Sequence, residues 1–191
     1  GGDFQLVATG SATPPHDLVA PLLSVPGILR VDLDNLPAVT PYFRPPEIHN
    51  LRVAEPDDSR FKIGIIWAGK LTPRDRSCPL THFIELISLP DVALFSLQLG
   101  DRTPDIEKFG VAGLMKDLAP MINDFADTAA LMSQLDLIVT IDSAPSHLAG
   151  GLGVPVWTLL NYVADWRWLM DREDSPWYPR MSLFLQPVSE D

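Results

Sequence analysis

From Phe61 onward, short apolar runs alternate with amphipathic stretches. Lys62-Ile63-Gly64-Ile65-Ile66-Trp67, Val92–Leu97 and Leu137-Ile138-Val139 with Ile141 are rich in branched side chains. That is the pattern of strands buried on both faces of a parallel sheet. After Pro79, the residues Leu80, Phe83, Ile84, Ile87 and Leu89 recur at helical spacing and predict an amphipathic helix of about ten residues. Thr103–Phe109 reads as a short helix and Val111–Leu114 as a weak strand. The run Asp124-Phe125-Ala126-Asp127-Thr128 caps a helix through Leu135 that buries Ala129, Leu131, Met132 and Leu135. This alternation predicts an α/β fold, a Rossmann-like parallel sheet with helices on both faces and right-handed crossovers.

Residues 1–58 break the pattern. Phe4–Ala8 fits one strand and Leu18–Leu23 a short strand or helical turn. Around them stand Pro14, Pro15, Pro21, Pro26, Pro37, Pro41, Pro45 and Pro46. Proline at this density interrupts regular elements, so the segment is irregular and packs along a domain or links two. The polar stretch Glu55-Pro56-Asp57-Asp58-Ser59 sets a boundary, dividing the chain into 1–58 and 59–191.

The stretch Leu135–Leu160 concentrates the chemistry, reading as strand, tight turn, helix, strand. Asp142 and Ser143 offer N-caps, Pro145 fits the first turn, and Ser146-His147-Leu148-Ala149 begins the helix. Gly150, Gly151 and Gly153 end it, and Val154–Leu160 starts the next strand. A helix N-terminus at the carboxyl end of a parallel strand presents unpaired N–H groups where open α/β sheets bind phosphates. The same capped helix also occurs in α/β proteins that bind nothing there.

Composition narrows the partners. The 191 residues are 46% hydrophobic and carry a net charge of −11. Nucleic-acid backbone and anionic membrane are poor partners, because both call for a clustered basic face. A phosphorylated small molecule would be held by a few cations and backbone N–H groups focused at one point. The single Cys78 excludes an internal disulfide and a cysteine zinc cluster. It reads as a small boundary residue, with a catalytic thiol as the alternative. No signal peptide appears, and no apolar run nears the ~20 residues of a membrane span, so a cytoplasmic location is expected. The Gly-Gly-Asp start, without Met, suits a piece of something longer.

Gly64 to Lys70 matches the P-loop spacing, but Leu71 replaces the hydroxyl residue that holds Mg²⁺ and bulky strand residues fill the cradle. A dinucleotide GxGxxG is absent too. The loop Arg74-Asp75-Arg76-Ser77 follows the first strand and lies on the same sheet edge as Asp142–His147. Arg there suits a pyrophosphate, while solvated loop charge is the plainer alternative. His147 sits in the helix's first turn, where the dipole disfavours protonation, and a neutral imidazole could bond a hydroxyl or a phosphate. His16, His49 and His82 share no metal-ligand spacing and no DxD pair follows a strand, so metal independence is expected. In the tail, Trp166, Trp168, Trp177 and Tyr178 read as a cover sealing the sheet, or else as ligand contacts.

The run Ile65–Gly69, then Asp75-Arg76-Ser77, Ser96-Leu97-Gln98, DFADTAALMSQLDLIVTIDSAPSHLAGGLGVPVW and DWRWLMDREDSPWYP together resemble a known family. It is the C-terminal half of bacterial GT-B glycosyltransferases fused to tetratricopeptide repeats, relatives of the heptosyltransferases and O-GlcNAc transferase. The likeness spans roughly Asp17 to Phe184, and Pro21–Pro26 with Pro41-Tyr42-Phe43 resemble its interdomain stretch. It implies that 1–58 is the end of an N-terminal domain plus an interdomain segment. Residues 59–191 are then a nucleotide-sugar donor domain, one half of a GT-B fold.

By this resemblance Asp142, Ser143, Ser146 and His147 lie at the donor's nucleotide, ribose or phosphates. Arg76, with Ser77, faces the leaving diphosphate, and Gln98, Asp127 and Thr128 shape the pocket. The family's His before the LLS-P proline is missing here, leaving His16 and Asp17 as catalytic candidates. The implied reaction is metal-independent inverting transfer of a hexosyl or heptosyl group to a protein or glycan, with no cofactor beyond the sugar nucleotide. The implied partners are an N-terminal acceptor domain or helical repeats. A non-catalytic nucleotide-sugar-binding or interaction module, and a GT-B-like epimerase, are the alternatives.

Overall fold

The computed structural model describes residues 5–45, 51–72 and 74–188. Phe4, Pro46 and His49 lie outside these. The chain forms two compact units, Gly1–Leu36 and Pro37–Asp191. In the first, residues 5–8 form no strand, and the chain makes a 3-10 turn at Leu22–Ser24 followed by α1, Val25–Ile28. None of its described residues is buried, as its proline spacing leads one to expect.

The second unit is built on six parallel strands: β1 Phe61–Ile66, β2 Val92–Ser96, β3 Met115–Asp117, β4 Leu137–Ile141, β5 Val156–Leu160 and β6 Met181–Leu185. Their order is β3-β2-β1-β4-β5-β6, and every pairing is parallel. The helices are α2 Asp105–Lys108, α3 Phe125–Met132 and α4 Ala144–Leu152. Two apolar cores flank the sheet. One joins Ile138, Leu131, Met132, Ala149, Trp168 and Tyr178, the other Ile65, Trp67, Leu80, Phe83 and Val139. Alternate residues of β1 and β4 feed opposite cores, which explains why these strands are apolar almost throughout.

Several elements depart from the pattern. Leu80–Ser88 is a 3-10 helix rather than an α-helix. Leu80, Phe83 and Leu86 stand three apart, the eclipsed period of a 3-10 turn, and face the sheet, while Leu89 is exposed. Val111–Leu114 is a turn, closed by Leu114 N–H on Val111 O, and the strand begins at Met115. The helix α3 stops at Met132, three residues before Leu135. Gly150 and Gly151 lie inside α4, and only Gly153 terminates it, at φ 72°. The tail contributes β6, which the aromatic-rich composition concealed.

Residues 40–45 strap the end of α4. Tyr42 N–H and Phe43 N–H both donate to Gly151 O, at 3.0 and 3.1 Å. A Cβ on Gly151 would sit 2.6 Å from the Phe43 ring, and one on Gly150 2.5 Å from Tyr178 Cγ. The glycines are there to admit rings. Val53 is buried against the same core, and Lys116 Nζ caps its carbonyl at 2.8 Å. Residues 37–45 and 51–58 therefore belong to the unit that holds the sheet.

Candidate functional site

The strand order runs outward from β1 in both directions, through β2 on one side and β4 on the other. The carboxyl ends of β1 and β4 thus flank the crevice where doubly wound sheets take ligands. The loop after β1 is folded back on itself: Cys78 N–H bonds Trp67 O at 2.8 Å, and Gly69 N–H bonds Ser77 Oγ at 3.2 Å. Ser77 N–H bonds Asp75 Oδ1, and the hydrogen bonding at Ser77 holds the Asp75 carboxyl below its ordinary range. This frame presents the two arginines. Arg76 Nη1 donates to Asp142 Oδ2 at 3.0 Å, and Arg74 Nη1 to Val163 O at 2.9 Å. Asn161 Nδ2 closes the third link, on Asp75 O.

Between these loops lies a cavity of about 490 Å³, lined by Arg74, Arg76, Asp142, Asn161, Asp165 and Trp166. A neighbouring one of about 500 Å³ shares both arginines and extends towards His82, Tyr162 and Phe184. A larger one, about 650 Å³, runs along β2 and β3 and holds none of the predicted site residues. Asn161 and Asp165 were not predicted as site residues, and Arg74 was named only with its loop. The signal for the first two was topological: a loop following β5 opens on the same edge as the loops after β1 and β4, but β5 and its successor had to be recognised as parallel.

The expected caps of α4 are not made. Ser143 occupies the N-cap position without a side-chain cap, its Oγ donating instead to Ile141 O at 3.3 Å. Asp142 is engaged instead by Arg76, in an ion pair between two full charges at 3.0 Å. Neither Asp142 nor Ser143 thus supplies a side-chain cap to α4, while Ser146 N–H is taken by Ser143 O at 3.0 Å. Ser146 Oγ is fully buried, 2.8 Å from Thr158 Oγ1, and ties α4 to β5.

His147 Nδ1 lies 3.0 Å from Tyr178 Oη, and the imidazole stacks on Trp168 with ring centroids 5.0 Å apart. Burial lowers its pKa; Asp142 opposes the shift, and Arg167 and Arg76 reinforce it. Burial thus favours the neutral ring. Trp168 is 1% exposed, and its Nε1 has no partner among the described residues. Of the tail aromatics, Trp168 and Tyr178 thus seal the core and flank His147 together, whereas Trp166 is exposed and lines the cavity. The tail charges pair at the surface, Arg167 with Asp165 and Arg172 with Asp174.

Other predicted residues have local work. Gln98 Oε1 accepts from Trp67 N–H and Ala68 N–H, and its Nε2 donates to Ala68 O and Leu99 O. Its amide is saturated, locking the ends of β1 and β2 together. Asp124 caps α3, and Asp127 accepts from Asn123 N–H and Nδ2, which keeps its carboxyl below the ordinary range. Thr128 Oγ1 bonds Asp124 O. His16 and Asp17 are exposed members of the first unit, with His16 Nδ1 2.9 Å from Pro14 O.

Residues 109–180 match the model of glycosyltransferase family 9 (heptosyltransferase). The matched segment runs from the end of α2 to the start of β6 and includes the turn Asp142–His147, Asn161 and Asp165. Protein FlbA of Caulobacter vibrioides is 28% identical over 131 residues, which is 65% of this chain and 22% of that protein. The chain thus spans about a fifth of its curated relative. Two solved structures are similar. The glycosyl transferase family 9 protein of Veillonella parvula is 18% identical, with a TM-score of 0.49, over 72% of this chain and 37% of that one. The E. coli ADP-heptose lps heptosyltransferase II is 21% identical, with a TM-score of 0.48, over 65% and 38%.

Proposed function

We propose that residues 37–191 form the donor half of a glycosyltransferase, binding a nucleoside diphosphate sugar at the β1/β4 crevice. One observation carries this reading: Arg76 reaches across the crevice to Asp142, just before a helix whose N-cap Ser143 makes no side-chain cap. A diphosphate placed there would meet a guanidinium with further N–H donors and the positive end of a helix dipole. In the transfer, an acceptor hydroxyl oxygen attacks the anomeric carbon from the face opposite the diphosphate, and its proton passes to a general base on the acceptor side. The bond to the diphosphate oxygen breaks, and the charge it carries away is met by Arg76 and the positive end of the α4 dipole without a metal. Hexosyl or heptosyl transfer, a protein or glycan acceptor, an N-terminal acceptor domain or helical repeats, and a cytoplasmic setting belong to the same proposal.

Calorimetric titration with UDP, GDP, ADP and CMP, with and without Mg²⁺, tests it. Saturable, metal-indifferent binding of one nucleotide that is lost in Arg76→Ala is the expected result. Binding of none of them by the folded chain overturns the donor reading. A second reading, a non-catalytic nucleotide-sugar-binding or interaction module, is favoured by the mutual tethering of the crevice loops through Arg74–Val163 and Asn161–Asp75. It predicts nucleotide binding without transfer when the longer native protein is assayed.

A further inference from the structure

The two cavities that share Arg74 and Arg76 differ in what they set against the arginines. The 490 Å³ one is lined by Asp142 and Asp165. The 500 Å³ one turns towards His82, Tyr162 and Phe184, and Asp75 is its only lining carboxylate among the described residues. Asp75 is already engaged, its Oδ1 accepting from Ser77 N–H at 2.9 Å. Arg74 spends Nη1 on a neutral carbonyl, Val163 O, and makes no ion pair among the described residues. Its charge is left uncompensated in a chain that carries −11 overall. A guanidinium so placed, with N–H groups to spare, suits a phosphate or a carboxylate.

The rest of the wall is apolar. Ile141, Leu159, Val163, Phe184 and Leu185 line it. Leu159 and Phe184 are partners in the β5–β6 register, and Phe184 meets Trp157 with ring centroids 5.4 Å apart. Phe184 is nonetheless 45% exposed and Trp157 42%. The core on this side of the sheet takes in Leu159 and, among the described residues, nothing from β6. The polar groups near these side chains are partly spent: Gln186 Oε1 accepts from Tyr162 N–H, and Asn161 Nδ2 donates to Asp75 O. A body carrying several hydroxyls would find too few partners there. A hydrocarbon body would cover apolar surface that now meets water.

We propose that the 500 Å³ cavity binds an amphipathic anion, a phosphate monoester or carboxylate borne on a hydrocarbon body. The head meets Arg74 and Arg76, and the body lies over Leu159, Phe184 and Trp157. The volume is that of an ordinary small-ligand site. The head draws on the same two arginines that border the 490 Å³ cavity, so this ligand and a diphosphate next door weaken each other reciprocally. The antagonism rests on the donor reading above; the site itself does not.

Calorimetric titration of the whole chain with decyl phosphate and with decanoate, below their micellar ranges, tests the site. Decanol and inorganic phosphate serve as the separated halves. The expected result is saturable binding of a single molecule of at least one anion, about tenfold or more tighter than either half. The tighter of the two anions identifies the head group. Arg74→Gln should weaken it by about tenfold and Phe184→Ser by about three- to tenfold. Both side chains are exposed, so each variant should keep the parent's melting temperature. Binding of neither anion overturns the proposal. Decanol binding as tightly as the anions, or uptake without saturation, marks adsorption to bare apolar surface and overturns it too. An affinity unchanged in both variants does the same.

Nucleotide titration reads the antagonism. A saturating amount of the anion that binds should raise the nucleotide's Kd by about threefold or more. Phe184→Ser alone should leave that Kd at the parent's value. A Kd indifferent to the anion overturns the antagonism. A chain that binds the anion but no nucleotide overturns the donor reading and leaves the site in place.

Discussion

The side chain that decides the most here is Arg76. It is half exposed, yet it spends one N–H on a carboxylate, Asp142, that is nearly buried. Replacing it with alanine removes a charge-assisted donor from any diphosphate and should weaken nucleotide binding by about 10- to 100-fold. It also strands the Asp142 carboxylate, so a melting curve must accompany the titration. Asp142→Asn separates the two effects, since it frees Arg76 without leaving a buried charge. If Arg76→Ala binds nucleotide as the parent does, the diphosphate role is wrong. His147 gives a second test at this scale. Its folded pKa lies below the ordinary 6.5 because burial disfavours the cation. The unfolded chain therefore binds the proton more readily. The group's contribution to stability is complete above that ordinary value and declines as pH falls through the folded pKa. Thermal unfolding should show a loss between neutral and mildly acidic pH that is smaller in His147→Gln; parallel profiles would rule His147 out as the source.

Among the elements, α4 is the one tuned by its neighbours. An alanine at Gly150 would improve helix propensity by about 1 kcal/mol. Its Cβ would also lie 2.5 Å from Tyr178 Cγ, and overpacking of this kind costs about 1–3 kcal/mol. Gly150→Ala should therefore lower stability by about 1 kcal/mol in denaturant titration, against the expectation for an ordinary helical glycine. A rise in stability would mean that Tyr178 moves aside freely, and its contact with His147 Nδ1 with it. The start of α2 carries a similar dependence. Asp105 is buried, and burial alone would raise its pKa. Arg102 at 2.8 Å and Trp67 Nε1 at 3.1 Å outweigh that and hold it ionised. Asp105→Ala would leave the fully buried Trp67 indole unpaired and should destabilise the fold by about 2–3 kcal/mol. An unchanged denaturation midpoint would contradict the role given to this carboxylate.

At the scale of the whole molecule, the core lies entirely within residues 37–188 of the described chain. A chain beginning at Pro37 should melt within a few degrees of the parent and bind nucleotide with the same affinity. A drop of 10 °C or more, roughly the effect of losing 2.5–5 kcal/mol in a domain of this size, would show that the first unit is part of the folding unit. The net charge of −11 makes the crevice a local exception, where Arg74 and Arg76 face Asp142 and Asp165. Added salt should weaken nucleotide binding only modestly, because so few charges converge there.

The parallel sheet was legible from the sequence because strands buried on both faces must be apolar at successive positions, and β1, β2 and β4 are. The turn Asp142–His147 was legible because a parallel strand followed by a helix has to open at the carboxyl edge. What each side chain does there was not. Asp142 could cap a helix or bind Arg76, and local propensity favours the cap. Only the fold brings Arg76 within 3.0 Å across 66 residues of chain, and the carboxylate pairs with it. Gln98 was placed in the pocket by resemblance, while its amide is consumed by the ends of β1 and β2. The strand β6 was hidden because its pairing partner, not its composition, makes it a strand. The sequence by itself determined which segments are buried and where the sheet opens, since both follow from local hydrophobicity and chain direction. The tertiary structure decided which donors and acceptors remain free, because that depends on partners far apart in the chain competing for the same atoms.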